Sequence, residues 1–149
     1  MKLRMNHRAA NPAGFQALLK LEEASKKMGL DPVLYELIKI RASQLNGCSF
    51  CLDMHLTDLR SMGESAQRLD LISVWRETPL YTEKERAVLA LTEAVTLISE
   101  NGVPQHLYEA TLQYFSEAEF VSILMAINAI NCWNRIAIAT GMFPGCFES

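Results

Sequence analysis

The sequence predicts an all-α protein, and three observations carry that prediction. Proline and glycine divide the chain into stretches of helical length, two capping boxes mark helix starts, and no stretch alternates strand-forming residues with period two. Pro12 opens an amphipathic stretch through Phe15, Leu18, Leu19 and Met28, which Gly29 stops. Asp31-Pro32 reads as an N-cap followed by proline at the first helical position. It launches Val33, Leu34, Leu37, Ile38, Ile40 and Leu45 at helical spacing until Asn46-Gly47 breaks the run. A third helix starts near Cys48 and ends at Gly63, and a shorter one covers residues 65–74 before the Thr78-Pro79 turn. Thr82 with Glu85 is a capping box opening a helix to about residue 100, where Asn101-Gly102 ends it. Pro104 starts another, to about Phe115. Ser116 with Glu119 is the second capping box, and the helix it opens runs over 117–140, stopped by Gly141 and Pro144.

Residues 1–149 read as a single domain, without a low-complexity linker or internal repeat, and are enough to bury a hydrophobic core unaided. Half the residues are apolar and the formal charge is −3, with basic side chains scattered among acidic ones. That distribution excludes a nucleic-acid surface or an anionic-membrane surface, both of which need clustered Lys and Arg. Residues 120–140 are apolar enough to span a bilayer, but Asn128, Asn131, Asn134 and Arg135 make that segment a core helix. The N-terminus has no apolar run resembling a secretory signal. The expected location is therefore the reducing cytoplasm, where four cysteines do not imply a disulfide scaffold.

The chemistry concentrates in Asn46-Gly47-Cys48-Ser49-Phe50-Cys51-Leu52-Asp53-Met54-His55. On a helix, offsets of three and seven place Cys51 and His55 within roughly 60° of Cys48, so all three share a face. Cys51 is then spaced to touch both Cys48 and His55. Cys48 falls at a helix start, where free N–H groups and the helix dipole favour a thiolate, and a nearby imidazole adds a second pKa-lowering influence. If the helices flanking Asn46-Gly47 fold back as a hairpin, Glu36 comes near His55, in the contact order Glu36, His55, Cys51, Cys48. A carboxylate there orients the imidazole and makes it a better base.

The spacing Glu36-x11-Cys48-x2-Cys51-x3-His55, within ELIKIRASQLNGCSFCLDMH, resembles the alkylhydroperoxidase D (AhpD) core of the carboxymuconolactone decarboxylase-like superfamily. The likeness extends through LTEAVTLIS and INAINCWNRIAIATGMFPG. The resemblance implies a peroxidase without a bound cofactor. Cys51 would be the peroxidatic thiol, deprotonated through His55 and Glu36, and Cys48 would resolve the sulfenic acid as a disulfide. A lipoyl-type or thioredoxin-like dithiol donor would then reduce that disulfide through the more exposed Cys48. The resemblance also implies a homo-oligomer, trimer or hexamer. Some relatives carry a histidine just before the second cysteine; Phe50 stands there in this chain. The decarboxylase branch lacks the cysteine pair, which argues against lactone decarboxylation.

Two other readings use the same residues. One is a redox-sensing or disulfide-exchange module that uses the pair as a reversible switch. The other is a zinc-stabilised interaction protein, with both thiolates, His55 and Glu36 as a tetrahedral shell, although no second ligand pair occurs in the sequence. Without the motif, Glu36 would be a solvated helix residue or an ion-pair partner of Arg41. Cys132 reads as a core thiol and Cys146 as incidental. His7 is expected in a mobile N-terminus and His106 at the surface. Asn128, Asn131 and Arg135 form a polar stripe, and Trp133 a packing residue or interface anchor.

Overall fold

Asn6 and Asn11 each cap a helix near the N-terminus. The computed structural model describes residues 1–147, and all regular structure within them is helical. In α1 (His7–Ala10) the Asn6 side chain accepts from the N–H groups of Arg8 and Ala9; in α2 (Pro12–Lys26) that of Asn11 accepts from Gly14. The expectation of a mobile N-terminus is therefore corrected. The N–H groups of Arg4 and Met5 donate to the Thr140 carbonyl at 3.0 and 3.3 Å, pinning the segment to the far end of the chain.

Asp31 caps α3 (Pro32–Asn46) by accepting from Val33 and Leu34, and Gly47 closes it at φ +70°, a left-handed conformation that favours glycine. Cys48 is the N-cap of α4 (Ser49–Ser61). After Ser65 caps α5 (Ala66–Leu71), the chain continues as a 3₁₀ segment, Ile72–Glu77. Both capping boxes form, at the starts of α6 (Glu83–Thr96) and α9 (Glu117–Thr140). The helix expected to run to residue 100 instead breaks at Leu97 (φ −102°, ψ 37°) and resumes as the single turn α7 (Ile98–Asn101). α8 (Gln105–Leu112) stops short of Phe115.

Helix α3 is the central element, packed against α4, α6 and α9. Leu37, Ile38 and Ile40 of α3 join Leu59, Leu89, Leu91, Ile123 and Ile127 in the main core. Burial of these aliphatic side chains, each contributing about 1.5–3 kcal/mol, fixes the packing. Glu93 adds a polar tie: it accepts from Arg41 of α3 (2.7 Å), Trp75 (2.8 Å) and Arg76 (2.6 Å). α9 is long and apolar enough to cross a membrane by length and composition alone. Its Ile123, Ala126, Ile127 and Ile130 are instead fully buried against the rest of the chain.

Candidate active site

A second, smaller apolar cluster gathers Ala42, Cys48, Cys51, Ile130, Ala137 and Met142 where α3, α4 and α9 meet. The turn at Gly47 places the two cysteines there. Cys48 Sγ and Cys51 Sγ lie 2.9 Å apart, close enough for one thiol to hydrogen-bond the other. Each residue is only 2 % exposed, so Cys48 is not the more accessible of the two as the resemblance implied. Cys51 lines a cavity of about 310 Å³, and Cys48 is not among its lining residues.

Glu36 and His55 meet at the same cavity. His55 Nδ1 is 2.7 Å from Glu36 Oε2, and both residues are buried. An ionised carboxylate only accepts, so Nδ1–H donates to it and Nε2 is the nitrogen left to exchange a proton with a bound molecule. Glu36 does not pair with Arg41, whose guanidinium is taken by Glu93. Of the predicted contact order, the two outer links form directly. Among the described residues there is no hydrogen bond between His55 and Cys51, although both line the cavity.

The electrostatics separate the two thiols. The hydrogen bond from Cys51, acting against burial, lowers the Cys48 pKa from 9.0 to about 7, and the N–H groups of Cys51 and Phe50 and the Asn134 side chain assist. Cys48 makes no direct side-chain capping bond at the α4 start, so those N–H groups act mainly as oriented dipoles. The Cys51 thiol is pushed up by its bond to Cys48 and by burial, opposed by Asn134 and by the charge of Lys39. These directions favour Cys48 over Cys51 as the first of the pair to ionise; the resemblance implied ionisation of Cys51.

Several supporting residues were not apparent in the sequence. Lys39, fully buried on α3, places Nζ 2.7 Å from Glu22 Oε2; its signal was a lysine three residues after Glu36 in an otherwise apolar run. Asn46 donates to Asn131 (3.0 Å) and Asn134 (2.9 Å), and Asn134 donates to Ser43 (3.0 Å), tying the cysteine turn to α9. The predicted stripe is thus corrected: Asn131 is buried with Asn134, while Asn128 and Arg135 are exposed. The ligand atoms of Glu36, His55 and Asp58 lie within 4.8 Å of one another, and neither thiol belongs to that group, so the four-ligand zinc shell is not assembled.

The remaining candidates divide between the site and the surface. His7 is buried and lines the cavity, contrary to expectation, while His106 is exposed. Cys132 is half-buried rather than a core thiol, and Cys146 is half-buried against the cysteine cluster. Trp133 lines the cavity and packs edge-on to Phe15 at 6.1 Å.

Comparison with known proteins places this arrangement among relatives. The uncharacterized protein YdfG of Bacillus subtilis (strain 168) is 40 % identical over 141 residues, spanning 95 % of this chain and 96 % of its own. A protein of unknown function from Agrobacterium tumefaciens, whose crystal structure carries the suggestion of an AhpD antioxidant-defence role, is 46 % identical. It superposes with a TM-score of 0.93 over 96 % of this chain and 99 % of its own. A peroxidase-related protein with an alkylhydroperoxidase AhpD core from Ralstonia eutropha is 25 % identical at a TM-score of 0.81, over 92 % and 73 % of the two chains. The profile of the carboxymuconolactone decarboxylase family matches residues 12–94, more than half of the sequence. With its all-helical AhpD-like fold, the chain belongs to the carboxymuconolactone decarboxylase family.

Proposed function

We propose that this protein is a thiol-dependent peroxidase in which Cys51 attacks the peroxide and Cys48 resolves the product. The observation that carries this reading is the cavity itself: Cys51 lines it beside the Glu36–His55 pair, with the Cys48 sulfur 2.9 Å away. When the reduced pair ionises, the negative charge falls on Cys48, and His55, oriented by Glu36, takes up the released proton as general base. The Cys51 proton passes to Cys48, and the Cys51 thiolate attacks the terminal oxygen of the hydroperoxide. The O–O bond breaks, the alkoxide takes the His55 proton and leaves as alcohol, and Cys51 becomes a sulfenic acid. His55 then takes the Cys48 proton, Cys48 attacks the Cys51 sulfur, and hydroxide leaves with that proton as water. One hydroperoxide and two thiols give one alcohol, one water and the Cys48–Cys51 disulfide.

The burial of both sulfurs bears on the reductant. A thioredoxin-like protein needs an accessible sulfur, whereas a lipoyl-type dithiol on a slender arm fits a cavity of this size; the latter is the proposed donor. A reducing cytoplasm would keep the pair ready between turnovers. By its likeness to AhpD-like proteins, the chain is proposed to assemble as a homo-oligomer, a trimer or hexamer. The test is peroxide consumption with excess dihydrolipoamide. The expected result is many equivalents per chain for the wild type and none for Cys51→Ser. Consumption of a single equivalent, with this and every other dithiol, would instead identify a redox sensor.

A further inference from the structure

His7 is a buried polar group that the proposed chemistry leaves unused. It is 9 % exposed and lines the cavity with Cys51 and His55, and neither of its ring nitrogens has a hydrogen-bond partner among the described residues. Its neighbours are aromatic: it meets Phe15 edge-on at 5.5 Å and Phe147 at 6.3 Å. A buried polar group left unpaired costs stability, and such groups persist where function requires them. The chain holds this one firmly in place, through the Asn6 cap on one side and the bonds of Arg4 and Met5 to Thr140 on the other.

The cavity is shaped for a particular kind of molecule. Roughly 150 Å³ of apolar space accommodates benzene in a protein interior. The 310 Å³ here has room for one ring with a small substituent. Aromatic and sulfur-bearing side chains provide flat, polarisable walls. Arg8 and Lys26 stand with Glu22, Glu36 and Asp58 around the cavity, a mixed set that gives an anionic ligand no preference. Burial, and then the nearby charge of Arg8, hold the His7 pKa below the ordinary histidine value, leaving a neutral ring with one donor and one acceptor.

We propose that His7 is the polar anchor of a substrate site for uncharged, single-ring hydroperoxides, receiving the ligand's oxygen while its ring lies against Phe15, Phe50, Met54 and Trp133. The hydroperoxide identity rests on the peroxidase reading, whereas the ring size and the single hydrogen-bonding group rest on the cavity. The chemistry of the contact matches: a hydroperoxide or alcohol can donate its O–H to the unprotonated ring nitrogen or accept from the ring N–H, one oxygen serving one of the two nitrogens.

The experiment titrates reduced protein with two unreactive probes, following tryptophan emission. One is 2-phenylpropan-2-ol, the alcohol product of cumene hydroperoxide; the other is tert-butylbenzene, the same shape with methyl in place of hydroxyl. The expected result is that His7→Phe weakens the alcohol about tenfold, as loss of one neutral hydrogen bond requires, and leaves the hydrocarbon unchanged. His7→Gln, which keeps a donor and an acceptor, should retain most of the alcohol affinity. The melting temperature of His7→Phe should equal or exceed that of the wild type, because an unpaired buried polar group is removed. Equal weakening of both probes would make His7 a packing residue, and no weakening, or no binding of the alcohol to the wild type, would also overturn the proposal. The two readings fail separately. Alcohol binding that depends on His7, without consumption of cumene hydroperoxide, defeats only the peroxidase reading; turnover of cumene hydroperoxide with an unaltered KM in His7→Phe defeats only the His7 assignment.

Discussion

Cys48 and Cys51 share a proton across 2.9 Å, and the sharing decides which sulfur is anionic and which is available to a ligand. Cys48 takes the charge because the Cys51 thiol donates to it, and Cys51 faces the cavity. The sulfur favoured for the charge thus lies 2.9 Å from one that lines the cavity and can hand its proton back. The fraction of Cys48 thiolate rises with pH through its midpoint, so alkylation of Cys48 by iodoacetamide should be half-maximal near pH 7. Replacing the donor removes the largest cause of the shift: in Cys51→Ala the midpoint should climb toward the free-thiol value of about 8.5. Mass-spectrometric quantification of the Cys48 adduct across pH measures both. A midpoint near 7 that persists in Cys51→Ala would assign the shift to the α4 backbone instead.

Helix α3 and the turn after it position most of the site, through Glu36, Lys39, Asn46 and Gly47 on one side and Cys48 at the start of α4 on the other. Gly47 is the hinge of that arrangement. A Cβ added there meets nothing within 4 Å, so the cost of Gly47→Ala is purely that of a left-handed backbone. Urea denaturation should register a loss of about 1 kcal/mol. The same elements show what the sequence makes legible. Asp31-Pro32, Gly47, Thr82 with Glu85 and Ser116 with Glu119 are local signals, satisfied by the residues that follow them, and each stands where it was read. The break at Leu97 and the four-residue α1 are too short to show periodicity. α1 also depends on bonds from Arg4 and Met5 to Thr140, which no local pattern encodes.

Across the molecule, the N-terminal segment, α3, α4 and α9 converge on one cavity, and this long-range closure is where the site exceeds its motif. Glu36, Cys48, Cys51 and His55 were readable because their chemistry and spacing lie within twenty residues. Asn134 acts on the same sulfurs from α9, Lys39 is noticeable only as a charge in an apolar stripe, and His7 arrives from the opposite end of the chain. Their roles come from tertiary packing. The central claim is that Cys51 is the sulfur that meets the peroxide, although Cys48 ionises first. The most direct test treats Cys48→Ser and Cys51→Ser proteins with one equivalent of cumene hydroperoxide in the presence of dimedone, which traps sulfenic acids, and maps the adduct by mass spectrometry. The expected result is an adduct on Cys51 in Cys48→Ser and little or none on Cys48 in Cys51→Ser; an adduct formed on Cys48 as fast or faster, or on neither, would contradict it.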